Sequence, residues 1–244
     1  MAEERVSKEC VLCRSSALKQ YFAIDSHLYY RCRDCRLVQM NAAGRKVSVG
    51  DDYAGYDLEK RRAFTRLFWM PRYERAIALI KKHKKNGRLL DVGCGTGEFL
   101  EIASEAGFVV SGIEPSVTAS GLAREKNEVI RGEFEAVPLP AEAYDVATLW
   151  SVLEHVPDPS AFLRKIYLVL KRDGLLALRI PCSSGLLPSA ARWVYRLSAG
   201  SVSYPLRVVY QLDWHYKHLF FYTRKNASLL LRRSGFEVLA EEPD

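Results

Sequence analysis

Three glycines, Gly93, Gly95 and Gly97, form a G-x-G-x-G run shortly after an apolar segment that ends around Asp91. Because glycine has no Cβ, it adopts positive φ angles and lets backbone N–H groups approach a ligand closely. The next residues have helical spacing, and the N-terminus of a helix favours hydrogen-bond acceptors. Glu114 ends the following apolar stretch with a second carboxylate. The pattern predicts a nucleotide-cofactor site, and it differs from the Lys-containing loop that wraps phosphates.

The glycine loop lies within a regular alternation of predicted strands and helices. Apolar runs predict strands over residues 88 to 92, 109 to 113, 128 to 131, 143 to 150 and 175 to 180. Helical spacing covers residues 98 to 106 and 160 to 170. Strands that alternate with helices favour a parallel sheet covered on both faces, so the predicted fold class is α/β, a Rossmann-like doubly wound sheet.

The order of these segments resembles the class I S-adenosylmethionine-dependent methyltransferases. Residues 153 to 159, which read LEHVPDP, are similar to a signature of the ubiquinone-pathway O-methyltransferases. The resemblance implies that the glycine loop faces the methionine part of S-adenosylmethionine, that Glu114 holds both ribose hydroxyls, and that an acidic residue lies near the adenine amino group. The cofactor-binding residues that it implies are Asp91, Gly93, Cys94, Gly95, Gly97, Glu114, Pro115, Glu133, Phe134, Trp150 and Ser151.

The C-terminal part departs from that family. Thr223 is a predicted N-cap for a helix over residues 224 to 233, Gly235 ends this helix, and residues 236 to 239 predict a strand. The family's sheet normally ends with a returning seventh strand, for which no residues are left here. We therefore expect the seventh strand to be lacking, or an insertion at residues 184 to 212 to take its place.

Two Cys-x-x-Cys pairs stand near the N-terminus: Cys10 with Cys13, and Cys32 with Cys35. This spacing is typical of two knuckles that present four thiolates to Zn²⁺, and four cysteines leave no open position for catalysis. The sequence therefore predicts a structural zinc ribbon. Two disulfides, or cysteines without a metal, are the alternatives.

The segment between the cysteine pairs predicts a hairpin from residues 21 to 24 and 28 to 30. Zinc knuckles commonly have glycine after the second cysteine, where the backbone turns left-handed. Arg14 and Arg36 occupy those positions here, so both residues are expected to be mildly strained.

Two histidine-containing segments compete for the removal of a proton during methyl transfer. His155 follows Glu154 where the resemblance places the reactive end of the cofactor, although this pair could instead cap and brace a helix. In the second segment, His218 matches a histidine that relatives place near the substrate, and His215 lies one helical turn away. A pKa near neutrality suits histidine to this task.

Two further chemistries have weaker motifs. Cys182 follows the fifth predicted strand, where RNA cytosine-5 methyltransferases carry a nucleophilic cysteine, but their Asp-Ala-Pro-Cys segment is missing here. The second of these chemistries is metal binding, with Asp213, His215 and His218 as the ligands. Ser151 stands where some catechol O-methyltransferases carry a metal-assisting glutamate, which argues against a metal-aided catechol reaction.

Composition and charge suggest the division of the chain. We expect a zinc ribbon over residues 1–40, a linker and N-terminal helices that meet near Pro71 over residues 41–86, and a catalytic domain over residues 87–244 with its insertion at 184–212. Of the net charge of +7, residues up to 86 carry +9 (19 basic against 10 acidic) and the remainder carries −2 (17 against 19). The basic front end could face RNA, nucleotide sugars or anionic lipid, or be a solvated helix end.

The predicted function is that of a cytoplasmic S-adenosylmethionine-dependent methyltransferase acting on a small-molecule acceptor. A sugar or a lipid-like or phenolic metabolite is expected, with O-methylation favoured over C-methylation. The alternatives are an rRNA or tRNA methyltransferase whose ribbon binds RNA, and a non-catalytic interaction protein. No transmembrane segment or secretory signal is expected. The amphipathic insertion could cover an acceptor, rest on a membrane surface, or pack against the main domain.

Overall fold

The computed structural model describes residues 9–24, 27–41, 64–210, 212 and 218–242. The chain divides into two compact units. The parallel-sheet unit comprises Ser48–Val152 and Lys165–Arg179, and the ribbon unit comprises Met1–Val47, Leu153–Arg164 and Ile180–Asp244.

The described strands and helices follow one another in the order expected for an α/β chain with an N-terminal hairpin. The strands are β1 Leu18–Ile24, β2 His27–Cys32, β3 Val38–Met40, β4 Gly87–Val92, β5 Phe108–Glu114, β6 Glu128–Arg131, β7 Tyr144–Trp150, β8 Leu170–Arg179 and β9 Phe220–Phe221. The α-helices are α1 Met70–His83, α2 Glu98–Glu105, α3 Val117–Arg124, α4 Pro159–Val169, α5 Leu186–Leu197, α6 Tyr204–Val209 and α7 Arg224–Arg233.

The parallel-sheet unit contains five parallel strands in the order β6-β5-β4-β7-β8. The central strands are almost fully apolar because both faces of a parallel sheet are covered. Leu89, Leu90, Val146 and Leu149 are completely buried there. This arrangement confirms the predicted Rossmann-like α/β class, and it brings the carboxyl ends of β4 and β5 side by side.

Helices α1 and α2 cover one part of this sheet. Ile77 and Ile80 of α1 pack with Phe99 of α2 and with the sheet residues Leu89 and Val146. Helical spacing predicts an apolar stripe of Leu67, Phe68, Ile77 and Ile80 here; the two isoleucines confirm it, but Leu67 and Phe68 are exposed. The burial also fixes the start of α2, which follows the glycine loop.

The helical run around Pro71 has no break. A π-helical turn, Thr65–Trp69, passes directly into α1, and Pro71 lies in the first turn of α1. Proline is tolerated at that place because N–H groups of the first turn have no intrahelical acceptor. The two predicted helical segments therefore meet near Pro71, but they form one continuous helix. The predicted part of this helix before residue 64 lies outside the described residues.

The ribbon unit contains an antiparallel sheet in the order β1-β2-β3-β9. The β1–β2 pair confirms the predicted hairpin. Strand β9 comes from the C-terminal part of the chain, and Val38 pairs there with Phe221. Rings of Phe22, Tyr29, Tyr210 and Phe221 contact one another in the core of this unit.

The C-terminal prediction is partly wrong. Thr223 does cap α7, in a capping box with Asn226, and Gly235 follows the helix with φ 94°. Residues 236 to 239, however, form no strand, because the segment has no pairing partner among the described residues. The parallel sheet of the described residues therefore contains neither a sixth nor a seventh strand.

The compact units group the chain differently from the sequence-based division, which stays a prediction. The ribbon shares its sheet with β9, and the insertion at 184–212 contributes α5 and α6. Apart from Asn41, the predicted connector over residues 41 to 57 lies outside the described residues. Within the part of the chain that is described, no helix combines the length and apolar character needed to cross a bilayer.

Candidate functional site

The glycine loop connects β4 to α2 through three residues with left-handed backbone. The φ angles are 74° at Gly93, 57° at Gly95 and 91° at Gly97. A Cβ added to Gly93 would lie 2.6 Å from Cγ2 of Val152, so only glycine fits there. The loop is also tied to β5, because the N–H groups of residues 93 and 94 donate to the Ile113 carbonyl at 2.8 and 3.1 Å.

Glu114 ends β5 with a buried carboxylate whose position is fixed by backbone donors. Its Oε2 accepts the Gly95 N–H at 2.9 Å, and its Oε1 accepts the Ser116 N–H at 2.9 Å. Pro115 stands between these residues, and Ser116 in turn caps α3. The hydrogen bonds orient the carboxylate at the glycine loop, as the predicted ribose-binding role requires.

Asp91 lies in β4, one strand away, and is almost fully buried. Its Oδ1 accepts a hydrogen bond from the Thr148 hydroxyl at 2.6 Å. Its Oδ2 is buried without a hydrogen-bond partner among the described residues. Burial, with a smaller contribution from the negative charge of Glu114, raises the pKa of Asp91 to about 8. An unmatched buried carboxyl oxygen is costly, and a cationic ligand would satisfy it.

These two carboxyl groups fit S-adenosylmethionine. The cofactor carries a ribose diol, which suits the oriented Glu114, and an α-ammonium group, which suits the unmatched Oδ2 of Asp91. The sequence reasoning missed Thr148, which orients Asp91 from β7. Its signal is a hydroxyl within the apolar run of residues 146 to 150, and the β4–β7 register pairs Thr148 with Asp91.

Cys94 and Gly112 form a close contact between the loop and β5. The Cys94 side chain is buried, and burial raises the pKa of its thiol well above the usual range. A Cβ on Gly112 would lie 2.7 Å from the Cys94 sulfur. Cys94 is therefore a packing residue with an un-ionised thiol, and its predicted contact with the cofactor stays a prediction.

The remaining predicted cofactor residues follow β6 and β7. Glu133 and Phe134 start a turn in which Lys165 donates to the Phe134 carbonyl at 2.5 Å. The Trp150 ring packs against Phe99 with centroids 4.6 Å apart. Trp150 is thus part of an aromatic core cluster. The cofactor roles of these residues stay predictions.

Ser151 has an unusual backbone for a residue other than glycine, with φ 55°. Its N–H donates to the Arg179 carbonyl at 3.0 Å, and its hydroxyl accepts from the Arg179 guanidinium at 2.9 Å. The same guanidinium lies 4.7 Å from the Trp69 ring centroid. Arg179 therefore holds Ser151 in this conformation, a contact that the sequence reasoning missed.

In the ribbon unit, Glu154, His155 and His218 come together. Their ligand atoms all lie within 4.8 Å of one another, and the two imidazole rings are 4.7 Å apart at 74°. The Glu154 carbonyl accepts the N–H groups of residues 219 and 220, which fixes the His218 segment beside it. The structure thus brings together two of the three predicted catalytic histidines. His215 and Asp213 lie outside the described residues.

The environment of this cluster is apolar. Burial, together with the neighbouring His155, lowers the pKa of His218 to about 3, so its imidazole is neutral at physiological pH. The His218 Nδ1 has no hydrogen-bond partner among the described residues. Tyr222 is also buried, and burial and the negative charge of Glu154 raise the pKa of its hydroxyl. Tyr222 was not among the predicted site residues.

The four N-terminal cysteines form one cluster. The Sγ atoms of Cys10 and Cys35 are 3.5 Å apart, as are those of Cys13 and Cys32. Zn–S bonds of about 2.3 Å place tetrahedral sulfur atoms about 3.8 Å apart, whereas a disulfide bond is about 2.05 Å long. All four cysteines are free thiols. The cluster therefore has the donors and the spacing of a four-cysteine metal site.

The knuckles have the expected left-handed residues, since φ is 61° at Arg14 and 68° at Arg36. Helix α7 braces both knuckles: Asn226 donates to the Cys35 carbonyl at 3.3 Å, and Arg233 donates to the Leu12 carbonyl at 2.9 Å. These braces come from residues about 200 positions away in the sequence, so no local pattern predicted them.

Comparisons with known proteins show which family the chain resembles. A family model described as a methyltransferase domain matches residues 60–241. The ubiquinone biosynthesis O-methyltransferase of Haemophilus ducreyi is 37% identical over 111 residues, which cover 39% of this chain and 47% of that protein. The same-named protein of Pseudomonas savastanoi pv. phaseolicola is 39% identical over 97 residues, covering 36% and 41%. The chain thus spans less than half the length of these curated relatives.

Two solved structures with a similar fold are described as SAM-dependent methyltransferases. A SAM-dependent methyltransferase from Thermotoga maritima has a TM-score of 0.56 at 24% identity, covering 77% of this chain and 81% of that one. A SAM-dependent methyltransferase from Archaeoglobus fulgidus has a TM-score of 0.52 at 21% identity, covering 68% and 67%. These similarities show the fold.

Proposed function

Because this chain belongs to the methyltransferase-domain family, we propose that it methylates an oxygen atom of a small-molecule acceptor, a sugar or a lipid-like or phenolic metabolite. The chain is an S-adenosylmethionine-dependent methyltransferase. The acceptor class and the attacked atom are the proposed part. The names of the curated relatives, which are O-methyltransferases of ubiquinone biosynthesis, support oxygen over carbon.

The pair of buried carboxyl groups at the ends of β4 and β5 supports the cofactor-binding part of the function. A carboxylate oxygen accepts more than one hydrogen bond, so each Glu114 oxygen can take a ribose hydroxyl in addition to its backbone donor. Asp91 offers Oδ2 to the ammonium group. Both groups are held before any ligand arrives, by Gly95, Ser116 and Thr148. Preorganisation of this kind reduces the entropy lost on binding.

When bound, S-adenosylmethionine supplies a methyl group on a sulfonium centre, which is already a good leaving group. The residues of the chain therefore have to orient the acceptor, exclude water and take up a proton. Gly93 and Gly95 let the loop backbone approach the cofactor closely, and the Thr148 bond keeps Asp91 in one rotamer.

We assign the uptake of the acceptor's proton to His218, with Glu154 and His155 beside it. A neutral imidazole can accept a proton, although the lowered pKa makes His218 a weak base in the ligand-free protein. A base with so low a pKa holds a proton only briefly, so Glu154 and His155, within 4.8 Å, are assigned to receive it. His218→Gln should then lower kcat with little change in the KM for the cofactor.

The cysteine cluster is proposed to hold one structural Zn²⁺ through Cys10, Cys13, Cys32 and Cys35. Four thiolates complete a tetrahedral site and leave no open position for a substrate. The core of the ribbon is small, so metal binding should supply much of its folding free energy. Elemental analysis of the purified protein should give one zinc per chain, and Cys13→Ser should lower that ratio.

Two measurements test the function. Titration calorimetry should show cofactor binding that Glu114→Gln weakens by at least about tenfold, since a charge-assisted hydrogen bond contributes about 1.5–3 kcal/mol. Glu125→Gln, an exposed glutamate after α3, is the matched control. A screen with labelled donor against sugar nucleotides, phenols and RNA then tests the acceptor. Methylation of RNA alone, with binding that weakens steeply as salt rises, would replace the proposed acceptor class.

A further inference from the structure

Helix α5 exposes an apolar stripe along its whole length. Leu186 is 90% exposed, Leu197 is 82% exposed and Trp193 is 62% exposed, and Leu187 is exposed beside them. Positions 186, 190, 193 and 197 repeat at helical spacing, so they lie on one face. In a globular protein such a face normally packs into the core. Here it meets solvent.

The polar side of α5 is the side that holds it in place. Arg192 donates to the Tyr210 hydroxyl at 2.8 Å, and the Tyr195 hydroxyl donates to the Ala23 carbonyl at 2.5 Å. The guanidinium groups of Arg192 and Arg196 lie 5.4 and 5.8 Å from the Tyr21 ring centroid. If α5 rotated about its axis to bury the apolar stripe, these contacts would be lost. The contacts therefore keep the stripe exposed.

Helix α6 packs against α5 and has the same character. Leu206 and Tyr210 are buried, whereas Tyr204 and Val208, one turn apart, are exposed. We call the α5 stripe (Leu186, Leu187, Trp193 and Leu197) together with Tyr204 and Val208 the apolar platform. Exposed apolar groups of this extent mark an interaction surface.

Charge identifies the partner of the platform. Residues 184 to 212 contain three arginines and no acidic residue, so this segment is positively charged. Arg196 is exposed beside the stripe, whereas Arg192 and Arg207 are partly buried. The positive charge would repel the same segment of a second copy and attract an anionic lipid surface, and Trp and Tyr favour the boundary between headgroups and acyl chains. We propose that the apolar platform docks on an anionic phospholipid membrane, with α5 lying in the plane of the interface.

This inference does not depend on the acceptor proposed above. The test is flotation of the full chain with phosphatidylcholine vesicles that do or do not contain phosphatidylglycerol. Wild-type protein should float with the anionic vesicles, and its tryptophan emission should shift to the blue. The variant Leu186→Glu/Leu197→Glu should bind at least about 10- to 100-fold more weakly, since burying one leucine contributes about 1.5–3 kcal/mol.

Leu168→Glu is the matched control, because Leu168 is an exposed apolar residue of α4 (62% exposed) outside the platform. It should float like the wild type, and Arg196→Gln should bind anionic vesicles more weakly. Thermal unfolding of each variant shows that the fold is kept. Failure of the wild type to float, or equal flotation of the double variant, overturns the proposal. A wild-type dimer in the absence of lipid that becomes a monomer in the double variant would also overturn the proposal, because the platform would then serve self-association.

Discussion

Asp91 gives the sharpest test of the cofactor site, because it ties proton release to binding. In the ligand-free protein, burial raises the pKa of Asp91 to about 8. A carboxyl group with that pKa is about nine-tenths protonated at pH 7. When an ammonium group pairs with Oδ2, the charged carboxylate is favoured and the proton leaves. Binding of S-adenosylmethionine at pH 7 should therefore release about 0.9 proton from this side chain.

The same pKa fixes the pH dependence of binding and of stability. Affinity should rise nearly tenfold per pH unit up to pH 7 and level off near pH 8. The stability of the ligand-free protein has the opposite pH dependence. The stability linked to Asp91 is fully present below its unfolded pKa of 3.8 and is lost as the pH rises to about 8. The difference amounts to about 6 kcal/mol over that window.

Titration calorimetry in buffers of different ionisation enthalpy measures the released protons directly. Asp91→Asn should bind about 10- to 100-fold more weakly and release almost no proton, and its unfolding free energy should lose less between pH 5 and 8. Asp173→Asn is the control, since Lys84 keeps the pKa of that exposed carboxyl low and it is already ionised. Unchanged proton release in Asp91→Asn would refute the assignment of the ammonium to this residue.

Three further predictions address packing, the knuckles and the histidine cluster. Gly112→Ala should lower the unfolding free energy by about 1–3 kcal/mol in chemical denaturation, because its Cβ would lie 2.7 Å from the Cys94 sulfur; equal stability of the variant would contradict this contact. Arg14→Gly should raise the stability of the zinc-loaded protein by about 0.5–1 kcal/mol, since φ is 61° there; a lower melting temperature would show that the arginine side chain matters more. His218 has a folded pKa of about 3, so its contribution to stability is present above the unfolded pKa of 6.5 and is lost as pH falls toward 3. In His218→Gln, the unfolding free energy should therefore depend less on pH in that window. An unaltered pH profile would argue against the burial of His218.

The sequence predicted the parallel sheet well because most of its strands contain an apolar run between turn residues. Strands β4 to β7 lie within one residue of the predicted bounds, whereas β8 begins at Leu170, five residues before its predicted start. The glycine loop has the positive φ angles that its composition requires. The cysteine cluster also followed from local spacing. In each case the signal and the structure lie in the same short segment.

What the sequence did not predict depends on contacts between distant segments. Strand β9 has only two residues and exists because β3 offers it an edge. Residues 236 to 239 form no strand, because they pair with no other strand among the described residues. The Thr148 bond to Asp91 follows from strand register. The meeting of His155 and His218 follows from the Glu154 carbonyl, which accepts hydrogen bonds from the segment that carries His218.

The sharing of one antiparallel sheet by β3 and β9 has a consequence for the order of events during synthesis. The cysteines leave the ribosome early and can capture metal at once, but Phe221, Asn226 and Arg233 emerge about 180 residues later. Until then the hairpin has an open edge and two unsupported knuckles. The ribbon sheet is therefore completed only after a much later segment has been made, and slow folding of this sheet should be the step at which nascent chains are most exposed to aggregation.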